Sequence, residues 1–386
     1  MCAASASGQG FQTPDQAARP AAMGEAFIAA ADDPSSIFYN PAGISQVDRP
    51  TLSAGVYVLQ FDTEFQGAGG KDRHREVYAL PHFFLAAPIS ERATTGIGIY
   101  NSYGLGVNWS GDGPLASTVD NAELSVLTVS PTLAFELSPT IRVGVSANLY
   151  AGALDRALIA TVPALGRTEA RFDVSDVAFG LSAGVQWDLD ERQAIGALVR
   201  TPTELRFKGD VDVEAPAAGV DTTNDARFDI PLPFVLGAGY TRRLGDTTRL
   251  NTDLIWTEWS SLDSVSIETS DPVISSLPPE QFNYGNAISA RVGIESQLTD
   301  RLTARAGYGY FSSIGADDAF SPLVPDLNAH LLSSGVGIDL GNGRRLDVAY
   351  QLIAREERTI RGSSNSPDGS YQDTTHAVMV TINIPF

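Results

Sequence analysis

The chain has 386 residues, a formal charge of −20 from 26 basic and 46 acidic residues, and a mean hydropathy of −0.04. This charge argues against nucleic acid or an anionic membrane surface as a partner, because like charges repel. The sequence has no run of about 18 apolar residues, which excludes a helical membrane protein. The length fits two soluble domains or one large barrel, and a barrel with alternating strands has near-neutral hydropathy.

The first fifty residues lack strand alternation. Residues 1–6 contain Ala4-Ser5-Ala6, which has the form of a signal cleavage site, and are predicted to be a signal or cloning remnant. Cys2 is the only cysteine, so no internal disulfide or thiolate metal cluster is expected. Residues 7–50 are rich in alanine and predict short helices broken by prolines. Ahead of a barrel, such a segment either extends into the periplasm or folds into the lumen as a plug.

Residues 51–386 break into strand-like runs whose separators alternate between short and long. The short separators lie at 90–92, 138–139, 190–191, 245–246, 299–300 and 341–343. The long separators lie at 62–75, 109–121, 156–170, 211–226, 262–286, 312–329 and 362–372. Six tight turns and seven long loops predict an all-β fold, a transmembrane antiparallel β-barrel of about 14 strands.

Alternation within single strands predicts a lipid-exposed outer wall. In 142–151 every second residue is apolar and the residues between are mostly small or polar, and 177–189 and 345–354 divide in the same way. A soluble sandwich also alternates, but several runs reach about ten residues, which is enough to cross a bilayer at a tilt. The last strand ends on Phe386, a terminal aromatic residue typical of outer-membrane barrels.

The third predicted strand, roughly 94–108, contains Gly104 and Gly106. Glycine weakens a strand or allows it to bend. The presumed neighbouring strands carry Pro81 and Pro131, which lack the amide donor that a ladder needs. We therefore predict locally broken pairing around the third strand. The alternative is that these residues only mark bulges in a closed barrel.

Several pieces of the sequence match a known pattern. They lie at 10–12, 24–27, 31–43, 201–205, 232–234 and 256–262. Together with the terminal Phe386, these pieces resemble the FadL-type outer-membrane transporters, a family of long-chain fatty acid channels and relatives that admit aromatic hydrocarbons. The N-terminal pieces, which include Asn40-Pro41-Ala42, are the specific part of the resemblance.

The resemblance implies a fourteen-stranded barrel closed by a small hatch in the lumen, here residues 7–50. The candidate hatch motif is Asn40, Pro41 and Ala42. The resemblance also implies that substrate is captured at the extracellular side and leaves sideways into the bilayer through a gap at a kink in the third strand. The candidate residues for this lateral gate are Gly104, Gly106, Pro81 and Pro131.

Candidate substrate contacts are apolar residues of the hatch and cations of the barrel wall. The apolar candidates are Phe11, Phe27, Ile28, Phe38 and Tyr39. A fatty carboxylate would need a cation in the lumen, and a simple alternation of faces makes Arg142, Arg200, Arg206 and Lys208 available. Of these cations, Arg142 and Arg206 are the predicted contacts.

Other chemistry has weaker support in the sequence. Asp210, Asp212 and Glu214 put three acids on one face at a strand end, a pattern that favours a solvated loop flank over a calcium site. The run 180–184 matches a hydrolase nucleophile motif, but it lies inside an alternating strand rather than at a strand-to-helix turn. No cofactor and no metal are expected.

The leading hypothesis is passive outer-membrane transport of hydrophobic small molecules, without chemistry on the substrate. The expected partners are the hydrophobic substrate, outer-membrane lipid and lipopolysaccharide, and the chain is expected to act as a monomer. The alternative is a non-transporting barrel, an adhesin or structural protein that acts through its acidic extracellular loops. A soluble all-β hydrolase is a third class, and it would be recovered from the cytosol without detergent.

Overall fold

The computed structural model of the protein describes residues 10–13, 15–110, 113–115, 121–162 and 165–386. The predicted remnant at 1–6, including Cys2, lies outside these residues. Fourteen antiparallel strands form a closed barrel, as the alternation of turns and loops predicts. The barrel closes because the first and last strands pair along their whole length, from Thr51 opposite Pro385 to Gly67 opposite Gly369. Closure leaves no open sheet edge, which a membrane requires.

The strand bounds are as follows. The first six strands are β1 Thr51–Gly67, β2 Gly70–Ser90, β3 Ala93–Asn108, β4 Asn121–Ser138, β5 Ile141–Val162 and β6 Gly166–Asp190. The next two strands each have two segments, β7 Gln193–Arg200 with Thr203–Ala215 and β8 Val220–Leu232 with Val235–Leu244. The remaining strands are β9 Thr248–Thr257, β10 Ala287–Gln297, β11 Leu302–Phe311, β12 Ala329–Gly341, β13 Arg344–Arg355 with Arg358–Ile360, and β14 Gly369–Pro385.

The helices are short. Two α-helices, α1 Ala18–Ala21 and α2 Ser36–Tyr39, and a 3-10 helix, Pro41–Gln46, precede the barrel. Single 3-10 turns occur at Pro216–Ala218, Trp259–Ser261, Ile274–Ser276 and Asp317–Ala319. Across the ranges that the structure describes, no helix is long and apolar enough to span a membrane.

The predicted facing of the strands is confirmed. On β5, Val145 and Leu149 are 54% and 45% exposed, whereas Ser146 and Asn148 are each 1% exposed. Apolar side chains therefore cover the outer wall while polar side chains point into the lumen, the reverse of a soluble protein.

The six predicted tight turns are confirmed, but three predicted long loops are wrong. The stretches 62–75, 156–170 and 211–226 are largely continuous hairpins of β1–β2, β5–β6 and β7–β8. Their outward residues are charged and paired across strands, as where Arg73 Nε donates to Asp62 Oδ1 at 2.6 Å. These strand ends lack an apolar outer face, so their sequence resembles a polar loop although the backbone ladder continues.

The described residues from 10 to 50, which we call the lumen segment, fill the barrel interior against a set of inward-facing glycines. A Cβ at any of these glycines would lie within 3.0 Å of a lumen-segment atom. They are Gly96, Gly98, Gly144, Gly184, Gly196, Gly237, Gly239, Gly293, Gly307 and Gly335. At five of them the nearest lumen-segment atom belongs to the main chain, as where a Cβ at Gly144 would lie 2.3 Å from the Pro41 carbonyl carbon. The segment therefore packs its backbone directly on the wall.

Replacing Gly144 with valine should destabilise the protein by about 1–3 kcal/mol, because the new side chain overlaps Pro41 and the neighbouring strands cannot relax. Ala147→Leu, which likewise adds three carbon atoms but on the outer face of the same strand, is the matched control. The measurement is the urea midpoint of unfolding from lipid vesicles. Equal midpoints for the two variants would contradict direct packing of the segment on the wall.

Candidate functional site

The barrel wall loses its regular pairing at β3. The β2–β3 ladder extends only up to Phe83 opposite Ile99, although β2 pairs with β1 from Gly70 onward. Beyond that point the residues Tyr100–Val107 are all buried instead of alternating, which indicates that β3 bends inward. The β3–β4 register also shifts between Asn101 and Tyr103. The broken pairing predicted around the third strand is confirmed.

The lumen segment supplies hydrogen bonds to this bent part of β3. The amide of Thr13 donates to the Ser102 carbonyl at 2.9 Å, and the amide of Gly104 donates to the Phe11 carbonyl at 2.9 Å. The Gln16 side-chain amide donates to the Asn101 carbonyl at 2.7 Å. A short piece of the lumen segment thus occupies the place that β2 leaves vacant.

The unpaired stretch is bounded at both ends. At the lower end the β2–β3 ladder resumes at Phe83. At the upper end the amide of Asn108 donates to His74 Nδ1 at 3.2 Å, and the Asn108 side chain donates to Glu76 at 3.3 Å. The interval between these contacts is a window in the wall, framed by β2 and β3 and covered from inside by residues 10–13.

The four candidate gate residues fall around this window. Gly104 and Gly106 lie on the bent part of β3, opposite Ser125 and Glu123 of β4. Pro81 lies on β2 where that strand pairs only with β1. Pro131 instead interrupts the β4–β5 ladder, which jumps from Val129 opposite Leu149 to Thr132 opposite Ser146. The structure thus brings three of the four residues to one opening and places the fourth one strand away.

Two apolar cavities lead towards the window from the extracellular side. The outer cavity has a volume of about 300 Å³, and the inner cavity has a volume of about 50 Å³ and is lined by Phe11 and Leu105. The cavities share the lining residues Arg156, Phe228, Val265 and Glu280. The Phe11 ring packs edge-on against Trp259, with centroids 4.7 Å apart, and against Tyr103 of β3 at 6.0 Å. Phe11 thus contacts both the inner cavity and Tyr103 of the bent strand, and Leu105 of the same strand lines the cavity directly.

An ion pair lies where the two cavities meet. Arg156 Nη1 and Nη2 donate to Glu280 Oε2 and Oε1 at 2.7 and 3.2 Å. The Arg156 Nε is buried and has no hydrogen-bond partner in the described part of the chain. No pattern in the sequence identifies this pair, because 156–170 resembles a polar loop, in which alternation does not define the facing of the residues.

The Asn40-Pro41-Ala42 motif joins two parts of the lumen segment to the wall. The Asn40 side chain donates to the Ile28 carbonyl at 2.9 Å and to the Val185 carbonyl of β6 at 3.1 Å, and its oxygen accepts from the Ala42 amide at 3.2 Å. Asn40 is completely buried. The motif fixes the path of the segment across β5 and β6.

Ile28, Phe38 and Tyr39 line a small cavity of about 30 Å³ between the lumen segment and the wall. Phe27 instead packs against Tyr39, with ring centroids 5.6 Å apart. Two buried cations, Arg200 and Arg291, line the same cavity. Arg200 Nη2 donates to the Phe38 carbonyl at 3.2 Å.

The two predicted cation contacts lie elsewhere. Arg142 faces the lumen at its periplasmic end, where it pairs with Asp188 beside a polar cavity. The lumen placement of Arg206 is wrong, because its side chain is 69% exposed and pairs with Glu204 at 2.9 Å on the outer face. The reason is the break in β7 at Thr201 and Pro202: even-numbered residues face inward before it and odd-numbered residues after it.

Two acids of the lumen segment are fully buried near the centre of the barrel. The Tyr57 hydroxyl and the Gln351 amide donate to Asp15 at 3.2 and 2.9 Å, and Glu25 lies 3.0 Å from Arg291. Burial raises the pKa of Glu25 well above its usual value, and the Asp15 charge raises it further. Burial also raises the pKa of Asp15.

The three acids that the sequence places on one face at a strand end, Asp210, Asp212 and Glu214, are exposed on the outer face of β7, as expected of a solvated loop flank. Among the residues that the structure describes, no group of three or more His, Cys, Asp or Glu side chains could hold a metal ion.

Comparison with known proteins agrees with this architecture. The family model described as outer membrane protein transport protein (OMPP1/FadL/TodX) matches residues 1–385. The long-chain fatty acid transport protein of Salmonella typhi is 22% identical over 367 residues, which cover 84% of this chain and 82% of that protein. A FadL homologue of Pseudomonas aeruginosa superimposes with a TM-score of 0.88 at 17% identity, covering 98% of this chain and 100% of that chain.

The toluene transporter TodX of Pseudomonas putida superimposes with a TM-score of 0.79 at 18% identity, covering 97% of this chain and 99% of that chain. At these identities the superpositions show the fold, and the family assignment comes from the match over nearly the whole sequence. The chain belongs to the outer membrane protein transport family of FadL and TodX, and it is a β-barrel of the Gram-negative outer membrane.

Proposed function

We propose that the protein is a passive transporter that carries hydrophobic small molecules from the extracellular side into the bilayer through the window between β2 and β3. The observation that carries this proposal is that β3 exchanges its β2 partner for residues 10–13 of the lumen segment. Moving those few residues would connect the inner apolar cavity to the lipid without breaking the rest of the barrel. Such transport requires no chemistry on the substrate.

Sideways release agrees with the energetics of an apolar substrate. A molecule that left through the periplasmic mouth would expose its chain to water at a cost of about 0.8 kcal/mol for each methylene. The lumen segment also packs on the wall glycines at the periplasmic side of the cavities, which closes the direct route. Release into lipid avoids both obstacles.

The proposed substrate class is long-chain fatty acids. One relative is named a long-chain fatty acid transport protein and one structural neighbour a toluene transporter, so acids and neutral hydrocarbons are both represented. The cavities of this chain favour an acid, because Arg156 and Arg200 place guanidinium groups among apolar linings. A carboxylate that accepts from a buried guanidinium gains a charge-assisted hydrogen bond, which a neutral hydrocarbon cannot make.

The protein is further proposed to act as a monomer. Its outer wall exposes apolar side chains all around the barrel, among them Leu149, Phe179, Leu254, Leu332 and Val378, and these would contact lipid. The charged strand ends above them would meet lipopolysaccharide.

Filling the window should lower uptake without unfolding the barrel. We expect Gly104→Trp and Gly106→Trp to reduce oleate uptake into proteoliposomes by roughly tenfold, since a bulky side chain would occupy the route beside Phe11. Thr95→Trp, on the part of β3 that remains paired with β2, is the matched control. Unchanged uptake in both glycine variants would count against the window, and no uptake by the wild type would favour a non-transporting barrel.

Removing the cation between the cavities should separate acids from hydrocarbons. The double variant Arg156→Gln/Glu280→Gln keeps the site neutral, and we expect it to lower oleate uptake roughly tenfold while leaving toluene uptake within about twofold, because only the acid loses a charge-assisted bond. Arg206→Gln, on the outer face, is the control. An equal loss for both substrates would indicate a steric rather than an electrostatic effect.

Alkaline pH should loosen the lumen segment. Because the pKa values of Asp15 and Glu25 are raised, the folded segment binds protons more tightly than a free segment. The associated stability is present at low pH and is lost as pH rises from the ordinary carboxyl range through the raised values. A spin label at Gln12→Cys should therefore become more mobile as pH rises above the ordinary carboxyl range. The double variant Asp15→Asn/Glu25→Gln should abolish this dependence, and an unchanged profile in that variant would assign it to other groups.

A further inference from the structure

A continuous chain of ion pairs ties the lumen segment to the wall at the periplasmic end of the barrel. It consists of four arginines and four carboxylates, so its formal charges cancel. Its members are Arg19, Asp32 and Asp33 of the lumen segment and Arg249, Glu295, Arg305, Arg345 and Asp347 of the wall. Neither the apolar cavities nor the window uses these residues.

Glu295 of β10 is the centre of this chain. Arg19 of the lumen segment donates to both of its carboxylate oxygens, at 3.0 and 3.1 Å. Arg249 of β9 donates to it at 2.8 Å, and Arg305 of β11 donates at 2.7 Å. Three guanidinium groups from one lumen element and two strands therefore converge on one carboxylate.

The chain extends on both sides of Glu295. On the lumen side, Asp32 accepts from Arg19 and, at 3.3 Å, from Arg249, so it bridges the segment and the wall. On the wall side, Arg305 donates to Asp347 at 2.8 Å, and both of these side chains are completely buried. A buried charge left without its partner is costly, so removal of one member disturbs its neighbours.

The position of the ion-pair chain in the barrel bears on permeability to ions. Asp32, Arg249 and Glu295 line a polar cavity of about 310 Å³ together with the turn residues Asp246 and Asp300. Short turns of outer-membrane barrels face the periplasm. The ion-pair chain therefore lies between this water-accessible mouth and the interior of the barrel.

The lumen segment is held by different interactions beside the window and at the periplasmic end of the barrel. Phe11, Thr13 and Gln16 are hydrogen-bonded to β3 through their main chain and one side-chain amide. Arg19 and Asp32 are instead held by ion pairs to β10 and β9. Arg19 also lies over the Phe27 ring, 5.2 Å from its centroid. A movement that uncovers the window can therefore leave the periplasmic end in place.

We infer that this ion-pair chain is the seal that keeps the barrel closed to ions and other water-soluble solutes, independently of any movement at the window. The pairing also holds the pKa of Asp32 below its usual value: burial alone would raise it, but Arg19 and Arg249 outweigh burial. The ion pairs of Asp32 are therefore intact at neutral pH and are lost only as pH falls below the ordinary carboxyl range.

The test is single-channel recording of the purified full chain in planar bilayers. We expect Arg19→Gln and Glu295→Gln each to raise the basal ion conductance by at least roughly tenfold, because each leaves buried charges without a partner. Arg19→Lys keeps the charge but not the two-pronged geometry, so a smaller increase is expected. Arg19→Gln changes the lumen segment alone, which keeps the test valid if Glu295→Gln fails to fold.

Arg206→Gln, which breaks an exposed ion pair on the outer face, is the control and should stay as closed as the wild type. Folding of each variant is verified by the band shift on heating in detergent. The inference would be overturned if folded Arg19→Gln and Glu295→Gln conducted no more than the wild type. It would also be overturned if Arg206→Gln conducted as much as those two variants. Because no hydrophobic substrate is present in this recording, its result is separate from that of the uptake assays.

Discussion

The structure depends on one constraint: in a bilayer every backbone amide and carbonyl must find a partner within the protein. Thirteen of the fourteen neighbouring strand pairs meet it through ladders along most of their length, with β1 and β14 closing the cylinder. Between β2 and β3 the ladder stops, and residues 10–13 supply hydrogen bonds to β3 instead. The element that fills the lumen and the element that repairs the wall are therefore the same piece of chain.

This arrangement divides the lumen segment into two functional parts. Its first residues form a replaceable set of hydrogen bonds beside an apolar cavity, where a greasy substrate could compete for space with Phe11. Its later residues are held by the wall glycines and by the charges around Glu295. Passage of lipid-like molecules and exclusion of ions thus rest on different contacts and can be altered separately.

Much of this architecture could be predicted from the sequence. The tight turns, the strand count and the facing of 142–151 follow from period-two alternation, and the break at β3 follows from glycines and prolines whose backbone chemistry disfavours a ladder. Three features could not be predicted. The hairpins above the membrane have polar outer faces, so the sequence of 62–75 resembles a loop. The break at Pro202 changes the inward-facing residues from even-numbered to odd-numbered, so Arg206 faces outward. Partners such as Glu280 come from distant loops that no local pattern identifies.

The contact between wall glycines and lumen main chain has a consequence for how such a protein can evolve. Gly144 contacts the main chain of Pro41, and Gly307 contacts the main chain of Gly24, so at these points the wall packs on the backbone of the segment and not on its side chains. Substitutions of these wall glycines should therefore be tolerated less well than substitutions at lumen-segment positions whose side chains point away from them. The demand for the absence of a side chain would then fall on the cylinder at these positions.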